Sequence, residues 1–245
     1  VAAEKLCAGV GAWANAWQRY YDSPDLFPSL VTLLERVNLP DMLADPATYP
    51  LANADDEKSL LQALSTASIE NLKSAREKIL ALDKAHGSRR KTLWAKLGKT
   101  PWANVLEPLT EVAKRTQVSL GGLSPDELGE RFKKEGWLTD AAVIQALALC
   151  ENKKQLDVVE SILATIYSPW LADLTERFQY HVRDKGYPGH EFIKTDGVSE
   201  AVADYQAGGE VVFFVDGLRL DIAHQLQEIL VKKGMSPVLT TQWSA

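Results

Sequence analysis

The feature that most constrains the fold of this chain is an apolar run near its end that stops at an acidic residue. Residues 211–215 are all apolar and mostly β-branched or aromatic, a pattern that predicts a strand buried on both faces. Asp216 follows directly, and Gly217 then allows the backbone to turn tightly into a helix. In open α/β sheets, ligands bind at the carboxyl ends of the strands. The run therefore predicts a carboxylate held rigidly at a metal or phosphate site.

The composition is that of a globular protein, and it argues against several classes of function. Of the 245 residues, 46% are hydrophobic and 24% are charged, so the chain can bury a core and disorder is not expected. The net charge of -6 argues against a broad electrostatic surface for nucleic acid. Cys7 and Cys150 form no Cys-x-x-Cys pair, which excludes a zinc ribbon and favours a reduced, cytoplasmic protein. No apolar stretch reaches the roughly 18 residues that a membrane span needs, so we expect no membrane partner.

Helical periodicity covers most of the chain before the apolar run. It predicts a helical region over residues 1–185, which divides near 118–124 if it forms two subdomains. A linker over 186–209 and the start of an α/β domain over 210–245 follow, with a second strand near 237–241. The predicted fold is thus mainly α, followed by the first strand-helix-strand of a truncated α/β domain. Because one such unit cannot make a stable sheet alone, we expect a piece of a larger protein.

Proline and capping signals predict where individual helices begin and end. Residues 38–57 contain three prolines and predict a loop. The sequence Ser-Pro-Asp-Glu over 124–127 is a strong capping signature, and Thr139 with Asp140 predicts the start of a further helix. The amphipathic stretch from 153 to 183 should divide or kink at Pro169, which removes a backbone donor.

Three ionisable residues follow Asp216 closely enough to support its site. Arg219 lies near the start of the predicted helix, where its guanidinium can hold a carboxylate or reach a phosphate. Asp221 lies in the first helical turn, where it can pair with Arg219 or interact favourably with the helix dipole. His224, three positions further, shares the helix face of Asp221. An ordinary capped turn with an ion pair at the helix start explains the same spacing, and His224 fits a helix-face residue better than a ligand.

The basic segment Lys84–Lys91 is the candidate for a direct contact with nucleic acid phosphates. We favour a solvated helix end instead, because cations near a helix C-terminus interact favourably with the dipole. On that interpretation, reversing the charge of the segment leaves DNA binding unchanged.

The end of the chain resembles the opening of the alkaline phosphatase superfamily core, and in particular the PglZ family of BREX phage-defence systems. The resemblance rests on the run Val-Phe-Phe-Val-Asp216-Gly-Leu-Arg219-Leu-Asp221-Ile-Ala, on the helix after it and on the strand near 237–241. The segments Leu-Gly-Gly-Leu-Ser, Glu-Gly-Trp-Leu and Tyr-Ser-Pro-Trp-Leu of the helical region add to it. It implies that Asp216 binds one of two divalent ions, often zinc, and that Arg219 and Asp221 orient this carboxylate.

For the whole protein, the resemblance implies a metal-dependent phosphodiesterase or nuclease-like hydrolase. It would act on DNA together with other BREX defence proteins. The nucleophile and the remaining metal ligands would lie beyond Ala245, so this piece alone would be inactive. The alternative is a non-catalytic helical interaction module that scaffolds the defence complex. An intact set of ligands beyond Ala245 would favour the enzyme, and their loss would favour the scaffold.

Overall fold

The structure is a computed structural model, and it is predominantly helical. It describes residues 2–9, 11–40, 44–186, 215 and 217–241. The mainly α part of the predicted fold class is confirmed. None of the helices in these ranges combines the length and the apolarity that crossing a membrane requires.

The chain divides into two compact units. The first consists of Val1–Gln117 and Ala142–Pro169, and the second consists of Val118–Ala141 and Trp170–Ala245. Each unit is therefore built from two separate stretches of the sequence. The domain limits predicted at residues 185 and 210 stay predictions.

In chain order, the α-helices of the described residues are α1 (Ala2–Ala8), α2 (Ala12–Asp22), α3 (Leu30–Glu35), α4 (Pro50–Ala67), α5 (Leu72–His86), α6 (Leu93–Lys96), α7 (Pro101–Arg115), α8 (Pro125–Arg131), α9 (Trp137–Ala148), α10 (Lys153–Ile166), α11 (Ser168–Lys185) and α12 (Leu220–Lys232). Short 3-10 segments cover Pro24–Leu26 and Gly87–Lys91, and a π-helical segment covers Phe132–Gly136.

Several helix ends follow from the local sequence. The Ser124 hydroxyl accepts a hydrogen bond from the backbone N–H of Glu127, which confirms the predicted capped start of α8. The Glu127 carboxylate in turn accepts a hydrogen bond from the N–H of Leu123, the residue before the N-cap. The break predicted near Pro169 is also confirmed, since α10 ends at Ile166 and α11 begins two residues later.

Two predicted boundaries are wrong, each for a clear physical reason. The loop predicted over 38–57 ends early because α4 begins at Pro50, and proline at the first helical position loses no hydrogen bond. Thr139 and Asp140 do not start a helix, because α9 already begins at Trp137, immediately after the π-helical segment. Thr139 is consequently buried inside a helix and exposes only 1% of its surface.

The predicted strand-helix-strand is shown only for its helix, α12. Residues 211–214 and Asp216 lie outside the described residues, and Val215 is exposed. Residues 235–241 have no regular secondary structure, so the second predicted strand is not shown. A strand needs a partner for its backbone hydrogen bonds, and the described residues supply no partner strand here.

The main core of the first unit lies between α4, α5, α7 and α10. Helix α7 contributes the largest share, because apolar residues recur on most of its turns. Its fully buried side chains include Val105, Leu106, Leu109 and Val112. Cys150, two residues after the end of α9, is partly buried against this core.

A second cluster in the same unit joins α1, α2 and α3 to α6. Trp94 is fully buried there, and its ring lies 5.8 Å from that of Trp17 in an edge-on arrangement. Cys7 belongs to the cluster and exposes 1% of its surface. Burial raises the pKa of the Cys7 thiol to about 11, because the thiolate would lose its hydration.

A buried ion pair connects α4, the Gly87–Lys91 segment and α7. The Glu57 carboxylate accepts hydrogen bonds from the backbone N–H of Trp102, at 2.7 Å, and of Ala103. Nη2 of Arg89 lies 2.9 Å from the same carboxylate and 2.7 Å from Oδ1 of Asn53. Desolvation raises the pKa of Glu57, while the backbone N–H groups and the Arg89 charge oppose that rise. Glu57 thus caps the first turn of the helix that contributes the largest share of this core.

The basic segment Lys84–Lys91 is therefore not a simple solvated helix end, and that prediction is wrong for its two arginines. Arg89 exposes only 4% of its surface. Nη1 of Arg90 donates to Asp83, at 2.8 Å, and to the carbonyl of Ala103. Both guanidinium groups are engaged inside the unit, because they satisfy carboxylates and carbonyls that the packing buries.

Replacing Arg89 by methionine should strongly destabilise the first unit, because Glu57 would be left as a buried, unpaired charge. We expect a loss of about 3–5 kcal/mol in the free energy of unfolding, measured by urea denaturation. Arg36→Met is the matched control, since Arg36 is exposed and its replacement should cost little. Equal losses in the two variants would contradict a stabilising role for the pair.

Cys7 should resist iodoacetamide at pH 8 in the folded protein and react once urea unfolds the chain, because burial withholds both access and the thiolate form. Cys150 is partly exposed and should be modified first. Peptide mapping of the alkylated protein measures both rates. Modification of Cys7 at the rate of an unfolded thiol would show that the α1 to α6 cluster is not formed.

Candidate functional site

The start of α12 is set by a turn that requires glycine. Gly217 has a φ of 69°, a left-handed conformation that other residues rarely adopt. Arg219 then takes the extended N-cap conformation, with φ -68° and ψ 149°, and the helix begins at Leu220. The predicted tight turn after Asp216, followed by a helix, is present from Gly217 onward.

Asp221 lies in the first turn of α12 and exposes only 2% of its surface. Its carboxylate is held by the guanidinium of Arg219, with Nε 3.0 Å from Oδ1 and Nη2 3.5 Å from Oδ2. This fork-like pairing is the geometry that arginine favours with carboxylates. The position at the helix N-terminus adds a favourable dipole interaction. The sequence places Arg219 and Asp221 two positions apart, and the structure brings their side chains together.

Arg219 also reaches a second carboxylate, on α9. Its Nη2 lies 3.9 Å from Oδ2 of Asp140 in a salt bridge. One guanidinium thus bridges two acidic residues that are far apart in the sequence but belong to the same unit. The Arg219 side chain is about half exposed, so solvent screens its attraction to Asp140 more than its attraction to the buried Asp221.

A ring stack holds the same two helix starts together. The rings of Trp137 and His224 are parallel to within 9°, with their centroids 4.0 Å apart. His224 lies one turn after Asp221 on α12, and Trp137 is the first residue of α9. The face that Asp221 and His224 share is therefore the face that packs on α9. The interpretation of His224 as a helix-face residue agrees with this stack.

The described residues do not form a metal centre by themselves. Among them, no group of three or more His, Cys, Asp or Glu side chains is placed to hold a metal ion. Both oxygens of Asp221 face Arg219, so this carboxylate fits a supporting role better than a ligand role. Asp216 lies outside the described residues, and its role as a metal ligand stays a prediction. The supporting roles of Arg219 and Asp221 stay predictions as well.

Sequence reasoning missed Trp137 and Asp140 as members of this site. Their local sequence gives a misleading signal, because Thr139 and Asp140 together read as a helix cap. The contact is a tertiary one between residues about eighty positions apart, and no spacing rule along the chain indicates it.

Comparison with family models, with curated proteins and with solved structures gives no match for this chain. The likeness to the PglZ family therefore rests on the residues quoted for it.

Asp221→Ala should destabilise the second unit more than the loss of a helix-dipole interaction explains, because it leaves Arg219 without its buried partner. We expect a cost of about 1–3 kcal/mol in urea unfolding. Asp126→Ala is a matched control, because Asp126 occupies the same position of α8 but is exposed. That change should cost about 0.3–1 kcal/mol. Equal costs would show that the Arg219 pairing contributes nothing.

Proposed function

We propose that this chain comprises the helical region and the opening of the catalytic core of a PglZ-like, metal-dependent phosphoric-ester hydrolase. Asp216 is its metal ligand, with zinc the preferred ion, and Arg219 and Asp221 keep the following turn in place. The protein works in the cytoplasm as part of a BREX-type antiviral system, with other defence proteins as partners and DNA as the polymer on which the complex acts.

The observation that carries the proposal is the anchored turn after Asp216. Gly217 has a left-handed conformation, and the buried Asp221 accepts a hydrogen bond from Arg219. Together they fix the backbone that follows Asp216, the proposed ligand. A ligand carboxylate works best when neighbouring groups hold it in one orientation. The ion pair supplies that support without using Asp216 itself.

The exposed face of α12 supports an α/β core. Ile222, Leu226 and Ile229 are 38%, 47% and 49% exposed and recur at i, i+4 and i+7. This is the apolar stripe that a helix in an open α/β domain turns toward its sheet. A helix whose face is exposed to water in the complete protein usually carries polar residues on that face.

In this proposal, the chain's own residues do one thing, which is to position a carboxylate. A pair of divalent ions at the completed site would polarise the phosphoryl group and lower the pKa of the nucleophile. The resemblance places that nucleophile and the other ligands outside these 245 residues. We therefore expect the 245-residue chain alone to be inactive.

The test measures metal content and phosphodiesterase activity of the complete gene product that carries these residues. Zinc or manganese should co-purify, and the protein should hydrolyse bis-p-nitrophenyl phosphate. Asp216→Ala should abolish activity and reduce the bound metal, whereas Asp126→Ala should leave both unchanged. Wild-type protein without bound zinc or manganese, or metal uptake unaffected by Asp216→Ala, would refute the proposal.

The second candidate is a helical scaffold without catalysis, and the predominance of helix among the described residues favours it. Phage plating on cells that carry the complete defence system separates the two functions. If Asp216→Ala abolishes protection while the protein still assembles with its partners, the enzyme is supported. If protection survives this substitution, the scaffold is supported.

A further inference from the structure

The second unit contains a cavity of about 480 Å³ whose walls are largely basic. The helical wall carries Glu130, Arg131, Lys133 and Lys134, from the end of α8 and the π-helical segment. The other lining residues belong to the last part of the chain, with His224 of α12 and two residues of the segment after it, Leu239 and Thr241. A cavity of this volume accommodates a small ligand.

The cavity is locally cationic in a chain whose net charge is -6. Glu130 and Lys133 form a salt bridge at 2.6 Å and largely offset one another. Among the described residues, Arg131 binds the carbonyl of Leu120 through Nη1 at 2.7 Å, and a guanidinium has further N–H groups that can donate to an anion. Lys134 is exposed and adds a second positive charge. The net excess of about two charges favours an anionic ligand.

The π-helical segment builds this wall. A side chain is disfavoured at its last residue, because a Cβ on Gly136 would approach Cδ2 of Phe132 to 2.6 Å and Cδ1 of Leu120 to 2.8 Å, so that these side chains would have to move. π-Helical turns inside α-helices cost hydrogen-bond geometry and are found frequently at functional sites. The turn changes the direction in which the residues around Lys133 and Lys134 face, compared with an uninterrupted α-helix.

We propose that this cavity binds a nucleoside monophosphate or a phosphate monoester of similar size. The guanidinium of Arg131 and the ammonium of Lys134 hold the phosphate group. Arginine can donate two parallel hydrogen bonds to phosphate, and lysine offers a compact positive charge. The Thr241 hydroxyl is a further donor. Leu239 supplies apolar surface for the non-ionic part of the ligand. The site belongs to the second unit, and it does not depend on Asp216 or on the proposed hydrolase activity.

Isothermal titration calorimetry of the 245-residue chain tests the proposal with three probes: AMP, inorganic phosphate and adenosine. AMP and inorganic phosphate should bind at one shared site and compete, and adenosine should not bind. AMP binding should weaken with rising salt, because an ionic contact is screened. Absence of AMP binding, or equal binding of adenosine, would overturn the proposal.

Matched substitutions locate the site. Lys134→Gln should weaken AMP binding by about tenfold or more, the loss expected for one charge-assisted hydrogen bond. Lys154→Gln removes another exposed lysine, on α10, and should have no effect. Circular dichroism checks that both variants keep the wild-type helix content. Equal affinities in the two folded variants would overturn the assignment, as would binding of a short oligonucleotide without binding of AMP.

Discussion

The first unit depends on the burial of one ion pair. The Glu57 carboxylate binds the first N–H groups of α7, and α7 carries much of the apolar packing. Arg89 neutralises this carboxylate from a segment that follows α5. A buried carboxylate without such a partner would be strongly destabilising. The orientation of the central helix is therefore tied to an electrostatic contact as well as to the fit of its side chains.

A related arrangement organises the second unit, on a smaller scale. Arg219 bridges Asp221 and Asp140, and the Trp137 and His224 rings stack beside it. The ion pairs and the ring stack both join the start of α12 to the start of α9. Because either contact already holds the two helices together, the other loses less conformational entropy when it forms. The turn that follows Asp216 is thereby joined to the helical scaffold.

The elements that sequence reasoning predicted well are those set by local chemistry. The capped start of α8 at Ser124 and the division near Pro169 depend on hydrogen bonds within a few residues. The errors arise where a remote contact overrides the local pattern. Thr139 reads as a cap, yet it is buried in α9 because the π-helical segment carries the chain past it. The sequence around Arg89 predicts a solvated basic helix end, yet Arg89 is buried because it pairs with the Glu57 carboxylate of α4.

The sequence by itself determined the helical character of most of the chain, the glycine turn after Asp216 and the proximity of Arg219 to Asp221. Each of these follows from apolar periodicity or from side chains only a few positions apart, where geometry is nearly independent of the rest of the fold. Only the tertiary structure decided that Asp140 contacts Arg219 and that Trp137 stacks on His224. It also decided that cationic residues of the π-helical segment line one cavity together with Thr241. Those pairings depend on how the chain folds back on itself. Their energy comes from burial and charge neutralisation between distant segments, which no local pattern encodes.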